Sequence, residues 1–305
     1  MTADTNAKGS TASTRHRIVV GVDGSEHSIA ALEWAAAQAQ RSGVVLEIVS
    51  ASVPGNQYLS RSEVEQCLQS NVDEATRRAQ KLAPGVDITS ATLAVPPEAV
   101  LIKESAGADL LVVGSRGLGG FTGLLLGSVS RKCVHRAKCP VVVVSKHETG
   151  SHAVRDQTET SVQDSSAHRI VVGVDGSPTS IAALEWAANQ AELTGATLDV
   201  LMTWEWPYGY GWSPEPADYD PEHECDSALS DLVKSIREAR PSVSIQETAI
   251  EGHPSPSLVK ASHGADLLVV GSRGHGDFVG MLLGSVSEHC VTSAHCPVLV
   301  LRDGQ

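Results

Sequence analysis

The sequence predicts an α/β protein built from two tandem doubly wound, Rossmann-like domains, each a mostly parallel five-stranded sheet with helices on both faces. Two observations carry this expectation. The chain repeats itself over almost its whole length, and within each copy short β-branched runs alternate with amphipathic helical stretches.

The repeat is plain on inspection. RIVVGVDGS stands at Arg17–Ser25 and again at Arg169–Ser177, IAALEWAA at Ile29–Ala36 and Ile181–Ala188, GADLLVVGSRG at Gly107–Gly117 and Gly264–Gly274, and LLGSVS at Leu125–Ser130 and Leu282–Ser287. Asp23 and Asp175 are 152 residues apart, whereas Gly114 and Gly271 are 157 apart, so the second copy gains five residues somewhere before Gly264. Residues 147–167, rich in Ser, Thr, Gln, Asp and His without apolar periodicity, read as a linker. The expected organisation is therefore a tail over 1–14, a domain over 15–146, the linker, and a domain over 168–305, each domain with its own core.

Within the first copy, Ile18–Val22 is a β-branched run without alternation, as suits a strand buried on both faces. A helix follows, with Ser25 or Ser28 as its cap, Ile29, Leu32 and Ala36 on its apolar stripe and Gly43 placed to end it. Val44–Val49 reads as the second strand, Ser62–Leu82 as a long amphipathic helix, Val86–Leu93 as a third strand, and Pro97 opens a short helix before the strand Leu110–Val113. Ser128–Arg136 reads as helical and Val141–Val144 as the last strand. The second copy supplies Ile170–Val174, Leu198–Met202, Leu267–Val270 and Val298–Leu301. Pro140 and Pro297 each begin a last strand, where a missing amide hydrogen is harmless. An apolar edge strand left in water invites pairing. The two last strands are expected to be covered, by each other or by another molecule.

Composition narrows the function. Of 305 residues, 41% are hydrophobic, enough for ordinary cores, yet no apolar run approaches the ~20 residues of a membrane span. A formal charge of −13 argues against general binding to nucleic acid. Met1–Thr14 lacks the apolar stretch of a secretory signal, so a cytoplasmic location is expected. Cys133 with His135 and Cys139, or His289 with Cys290, His295 and Cys296, lack the usual zinc spacings and read as packing residues, with no metal site expected.

Two motifs end strands in each copy, where open α/β sheets place their ligands. Asp23 and Asp175 follow the first strands. Gly114, Gly117, Gly127 and Ser128 form a glycine-rich loop with nine residues between its second and third glycines, and Gly271, Gly274, Gly284 and Ser285 repeat it with the same gap. Such glycines let backbone amides approach phosphate oxygens, and the helix opening at Gly127-Ser128 offers unpaired amides to an anion. The hydroxyls of Ser128, Ser130, Ser285 and Ser287 would add bonds to phosphate, and Asp23 and Asp175 would accept from a ribose hydroxyl or an adenine amino group.

This arrangement resembles the ATP-binding branch of the universal stress protein family, whose pattern is an Asp after the first strand and G-x2-G-x9-G-(S/T) after the fourth; both copies match it. The resemblance implies bound ATP, with Mg2+ held by the phosphates. It places Asp23 and Asp175 at the adenosine end, Ala51 and Thr203 beside the base, and Gly114, Gly117, Gly127, Ser128 and Ser130, with Gly271, Gly274, Gly284, Ser285 and Ser287, at ribose and phosphates. Val113, Arg116 and Val129, with Val270, Arg273 and Val286, are weaker carry-overs. Because last strands mediate dimers in this family, the fused halves would act as a built-in dimer, and full chains would pair again. The implied role is a nucleotide-linked regulator in stress responses.

Catalysis is the rival reading. The chain lacks the GxxxxGK(S/T) lysine, kinase HRD and DFG runs and the SGGxDS signature of adenylating enzymes, so a binding protein is expected rather than an enzyme, with slow ATP hydrolysis and a nucleotide-free scaffold as alternatives. Trp204–Asp226, which holds Trp204, Trp206, Trp212 and Tyr208, Tyr210, Tyr219 among several prolines, reads as an irregular loop near the second base pocket. His275 stands where the first copy has Leu118, so the two sites need not be equal.

Overall fold

A computed structural model describes residues 16–53, 60–118, 126–145, 168–206, 220–274 and 283–302. The linker, His275 and the tyrosines of the aromatic segment lie outside these residues.

The first half runs β1 (Arg17–Gly21), α1 (Glu26–Ser42), β2 (Val45–Ala51), α2 (Arg61–Leu82), β3 (Ile88–Leu93), α3 (Pro97–Glu104), β4 (Leu110–Gly114), α4 (Ser128–Arg136) and β5 (Val141–Val144). The second half repeats this as β6 (Arg169–Gly173), α5 (Pro178–Thr194), β7 (Thr197–Trp204), α6 (Pro221–Ala239), β8 (Ile245–Glu251), α7 (Pro254–Ala261), β9 (Leu267–Gly271), α8 (Ser285–Ser293) and β10 (Val298–Leu301). Strand order within the halves is 3-2-1-4-5 and 10-9-6-7-8, so in each the order reverses beside the first strand, between β1 and β4 and between β6 and β9.

Local chemistry sets the boundaries. Ser25, not Ser28, caps α1: its side chain accepts from the Ser28 amide, and Gly43 closes the helix in the left-handed region at φ 65°. Ser60 and Glu63 form a reciprocal capping box on α2. Pro97, Pro178, Pro221 and Pro254 stand in the first turns of their helices, where the missing amide hydrogen breaks no helical bond.

The five extra residues of the second half fall between β7 and α6. The C-terminal caps of α2 and α6 already correspond at the larger offset: the Ala83 amide bonds Ala79 O, and the Arg240 amide bonds Ile236 O, with nearly the same dihedral angles at both caps. The aromatic segment accordingly corrects the sequence reading at both ends. Trp204 completes β7 and Pro221–Asp226 begins α6, because Pro221 starts a helix rather than breaking one.

The two five-stranded sheets are one. β5 and β10 pair antiparallel, with Val142 opposite Leu299, and the described strands form a single ten-stranded sheet, β3-β2-β1-β4-β5-β10-β9-β6-β7-β8. Each half's last strand thus covers the other's. Residues of both halves share one buried apolar cluster on the α1/α5 face, including Val142 and Leu299, and a second on the opposite face. The expectation of two separate cores is corrected here: pairing two apolar edge strands brings their side chains into contact and fuses the cores across the seam. Cys133, Cys139, Cys290 and Cys296 belong to the second cluster, and burial pushes their thiols up to about 12, which keeps them protonated packing groups.

Candidate functional site

Parallel strands β1, β2 and β4 all end on one side of the sheet, and the loops leaving them meet around a cleft of about 600 Å³. That lies within the roughly 300–1,000 Å³ of small-molecule sites. All ten residues singled out in the first copy line it: Asp23, Ala51, Val113, Gly114, Arg116, Gly117, Gly127, Ser128, Val129 and Ser130.

Asp23 fastens the loop together. Its Oδ1 accepts from the Ser25 amide at 2.9 Å and its Oδ2 from the Leu118 amide at 3.0 Å, which holds the glycine loop against the end of β1. Asp23 lines the cleft, and each carboxylate oxygen keeps a further acceptor position beyond these bonds. A Cβ at Gly117 would stand 2.3 Å from Asp23 Oδ2, and one at Gly114 would stand 2.7 Å from the carbonyl carbon of His27. A side chain at Gly114 would therefore meet backbone, and one at Gly117 would have to displace the Asp23 carboxylate that holds the loop.

The phosphate end is built from α4. Gly127 occupies its cap position and no side chain caps it, so the first amides of the helix open toward the cleft with positive partial charge. Ser128 is exposed there, and Arg116 is an exposed cation lining the same cleft, with no side-chain partner among the described residues. Ser130 departs from the sequence reading. Its hydroxyl donates to Gly114 O at 2.6 Å and is buried, so its proton ties α4 to the end of β4 instead of serving a phosphate. Ser287 does the same to Gly271 O at 2.6 Å.

The second copy repeats these ties. Asp175 Oδ1 accepts from the Ser177 amide at 3.0 Å, a Cβ at Gly274 would lie 2.2 Å from Asp175 Oδ2, and Gly284 caps α8 without a side-chain bond. Gly271 and Val270 end β9, followed by the exposed Arg273, Ser285–Ser287 open α8 with Val286 between the serines, and Thr203 stands near the end of β7 as Ala51 ends β2.

The same two regions of the chain, 14–145 and 166–302, match the family model described as the universal stress protein family. The chain belongs to the universal stress protein family. Among its relatives, a universal stress protein of Mycolicibacterium smegmatis is 32% identical over 307 residues, covering 95% of this chain and 98% of that one. One from Mycobacterium tuberculosis is 32% identical over 308 residues, covering 94% and 96%. A solved universal stress protein from Archaeoglobus fulgidus shares the fold with a TM-score of 0.65 at 24% identity, over 96% of this chain and 98% of that one. Each match thus spans both halves of this chain and nearly the whole length of the other.

Helix α2 and strand β2 add wall residues that the sequence reading missed: Ser50, Asn71, Cys67, Val64 and Leu68. Ser50 is fully buried and its hydroxyl has no hydrogen-bond partner, a situation that usually costs about 1–3 kcal/mol. Asn71 approaches the turn after β1, its Oδ1 lying 3.0 Å from where a Cβ on Gly24 would be. Neither residue belongs to a repeated motif. The copies diverge at both positions, and only folding α2 over β2 brings them to the cleft.

Proposed function

We propose that this universal stress protein binds ATP at two sites, one per half, and acts as a nucleotide-linked regulator rather than as an enzyme. The observation that carries the reading is the convergence of all ten sequence-selected residues of the first half on one cleft. That cleft joins an anion-attracting end, made by Arg116 and the uncapped start of α4, to a largely apolar wall with the unpartnered Ser50 hydroxyl. Triphosphate fits the first and a ribosyl base the second. Bound Mg2+ would be held by the phosphates and would offset their charge.

The wall itself disfavours turnover. Among the described residues its titratable side chains are Asp23, Cys67 and Arg116, and both carboxylate oxygens of Asp23 already accept backbone amides. None of these described groups is placed to abstract a proton from water in line with a phosphate. Both last strands are used in the β5–β10 seam, so any pairing of whole chains would use other surfaces, which sedimentation of the purified protein would reveal.

Mass spectrometry of nucleotide released from heat-denatured protein tests the reading, with the double change Gly117→Ala and Gly274→Ala as control. Near two ATP per chain, lost in the double variant, is the expected result. ADP alone would favour an ATPase, and no nucleotide would favour an interaction scaffold.

A further inference from the structure

We infer that Ser50 and Asn71 read the base of the nucleotide in the first half, and that the second half, lacking both groups, binds the same nucleotide more weakly. The inference rests on the nucleotide-binding reading above.

The correspondence between halves is fixed by the backbone. Ser50 on β2 pairs with Thr92 at the fifth step of the β2–β3 ladder, and Met202 on β7 pairs with Ala249 at the fifth step of the β7–β8 ladder. On the helices, Asn71 lies eight residues before Ala79, and Ala228 lies eight before Ile236, the two carbonyls that receive the matching C-terminal cap amides. The buried positions agree with this alignment: Leu68 and Val72 correspond to Cys225 and Leu229, and all four are buried. Ser50 and Asn71 in the first half are therefore Met202 and Ala228 in the second.

A purine base presents ring acceptors and exocyclic groups on its edges, and a carboxamide offers one donor group and one acceptor to meet them. A hydroxyl can fill whichever role remains. In the first half the Ser50 hydroxyl is buried without a partner in the wall of the cleft, and the Asn71 side chain has no hydrogen-bond partner among the described residues. Polar groups left unpaired in a cleft favour the ligand that satisfies them over one that does not. Methionine and alanine offer the base apolar contact alone, which leaves Thr203, in the place of Ala51, to meet it with a hydroxyl in the second half. Among the described residues the helix starts that face the phosphates correspond, with Gly127 and Gly284 capping their helices in the same way, so the Ser50/Met202 and Asn71/Ala228 differences fall on the base.

Isothermal titration of the full chain with ATP, and separately with inorganic tripolyphosphate, tests this. Wild-type protein is expected to show two classes of ATP site separated by about tenfold or more, the net worth of two hydrogen bonds, and Gly274→Ala is expected to remove the weaker class. Exchanging in the second half's residues, Ser50→Met with Asn71→Ala, should bring the tighter class down to the weaker and leave tripolyphosphate affinity unchanged. The reciprocal pair Met202→Ser with Ala228→Asn should tighten the weaker class. Equal ATP sites in the wild type, or an exchange that weakens ATP and tripolyphosphate alike, would overturn this inference alone. No ATP binding by the wild type would overturn the nucleotide reading and this inference with it.

Discussion

Gln38 on α1 and Gln190 on α5 exchange two amide hydrogen bonds across the two halves, at 2.8 and 2.7 Å, with both side chains buried. Each carboxamide donates to the other's oxygen, so the pair is satisfied only when the halves are in register. Replacing one glutamine by leucine leaves the other buried without its partner across the halves, which should cost about 1–3 kcal/mol. Replacing both should cost less than the sum of the single changes. Denaturant unfolding of the two single variants and the double variant checks this, and additive losses would show that the pair is not coupled.

Gly117→Ala is expected to abolish nucleotide binding in the first half with little loss of stability. The new methyl carbon would start 2.3 Å from Asp23 Oδ2, so the carboxylate or the loop must move, yet Gly117 is exposed and no core contact is lost. Equilibrium dialysis with labelled ATP should read one site where the wild type reads two, at an almost unchanged Tm.

Thiol labelling should separate the cysteines sharply. Cys67 is exposed in the wall of the cleft, while Cys133, Cys139, Cys290 and Cys296 are buried with thiols pushed up to about 12. Because the thiolate is the nucleophile, these four should stay unlabelled in native protein at pH 8, and burial, which raises the Cys225 thiol, should slow that residue too. Bound ATP should protect Cys67. Peptide mapping after brief alkylation, with and without ATP, reads both effects, and unprotected Cys67 would place the nucleotide elsewhere.

Acid should loosen the contact between α3 and α4. The Lys132 ammonium, 2.5 Å from Glu98, holds that carboxyl below the usual carboxylate range. A folded pKa below the unfolded value of about 4.3 means that the stabilisation is present above that pH and fades as pH falls through the folded value. The pair is partly exposed, so the amount is at most about 1 kcal/mol. Stability measured at pH 7 and pH 3 should fall less in Glu98→Gln than in the wild type.

Both halves' succession of strands and helices and the first-half cleft follow from features legible in the chain. Unalternating apolar runs such as Ile18–Val22 and Leu110–Val113, separated by helices, demand a parallel sheet, and the ten selected residues cluster at strand ends because ligand loops leave from there. Ser130 was legible as a site residue but not in its role, since only the approach of α4 to β4 decides that its hydroxyl meets Gly114 O. Ser50 and Asn71 were not legible, because an isolated polar residue on a strand or helix carries no local signal until distant elements pack together.

By itself the sequence determined the duplication, the order of elements in each copy, the glycine loops and the membership in a family, since these depend on local propensity and on motifs read along the chain. The tertiary structure decided what joins the copies. Val142 meets Leu299, and Gln38 meets Gln190, across 157 and 152 residues of chain, and the apolar strand edges that the sequence left open close on each other instead of on a second molecule. The physical reason is that an unpaired strand edge has no preferred partner written in its own residues. Which edge it meets depends on where both sheets have already folded.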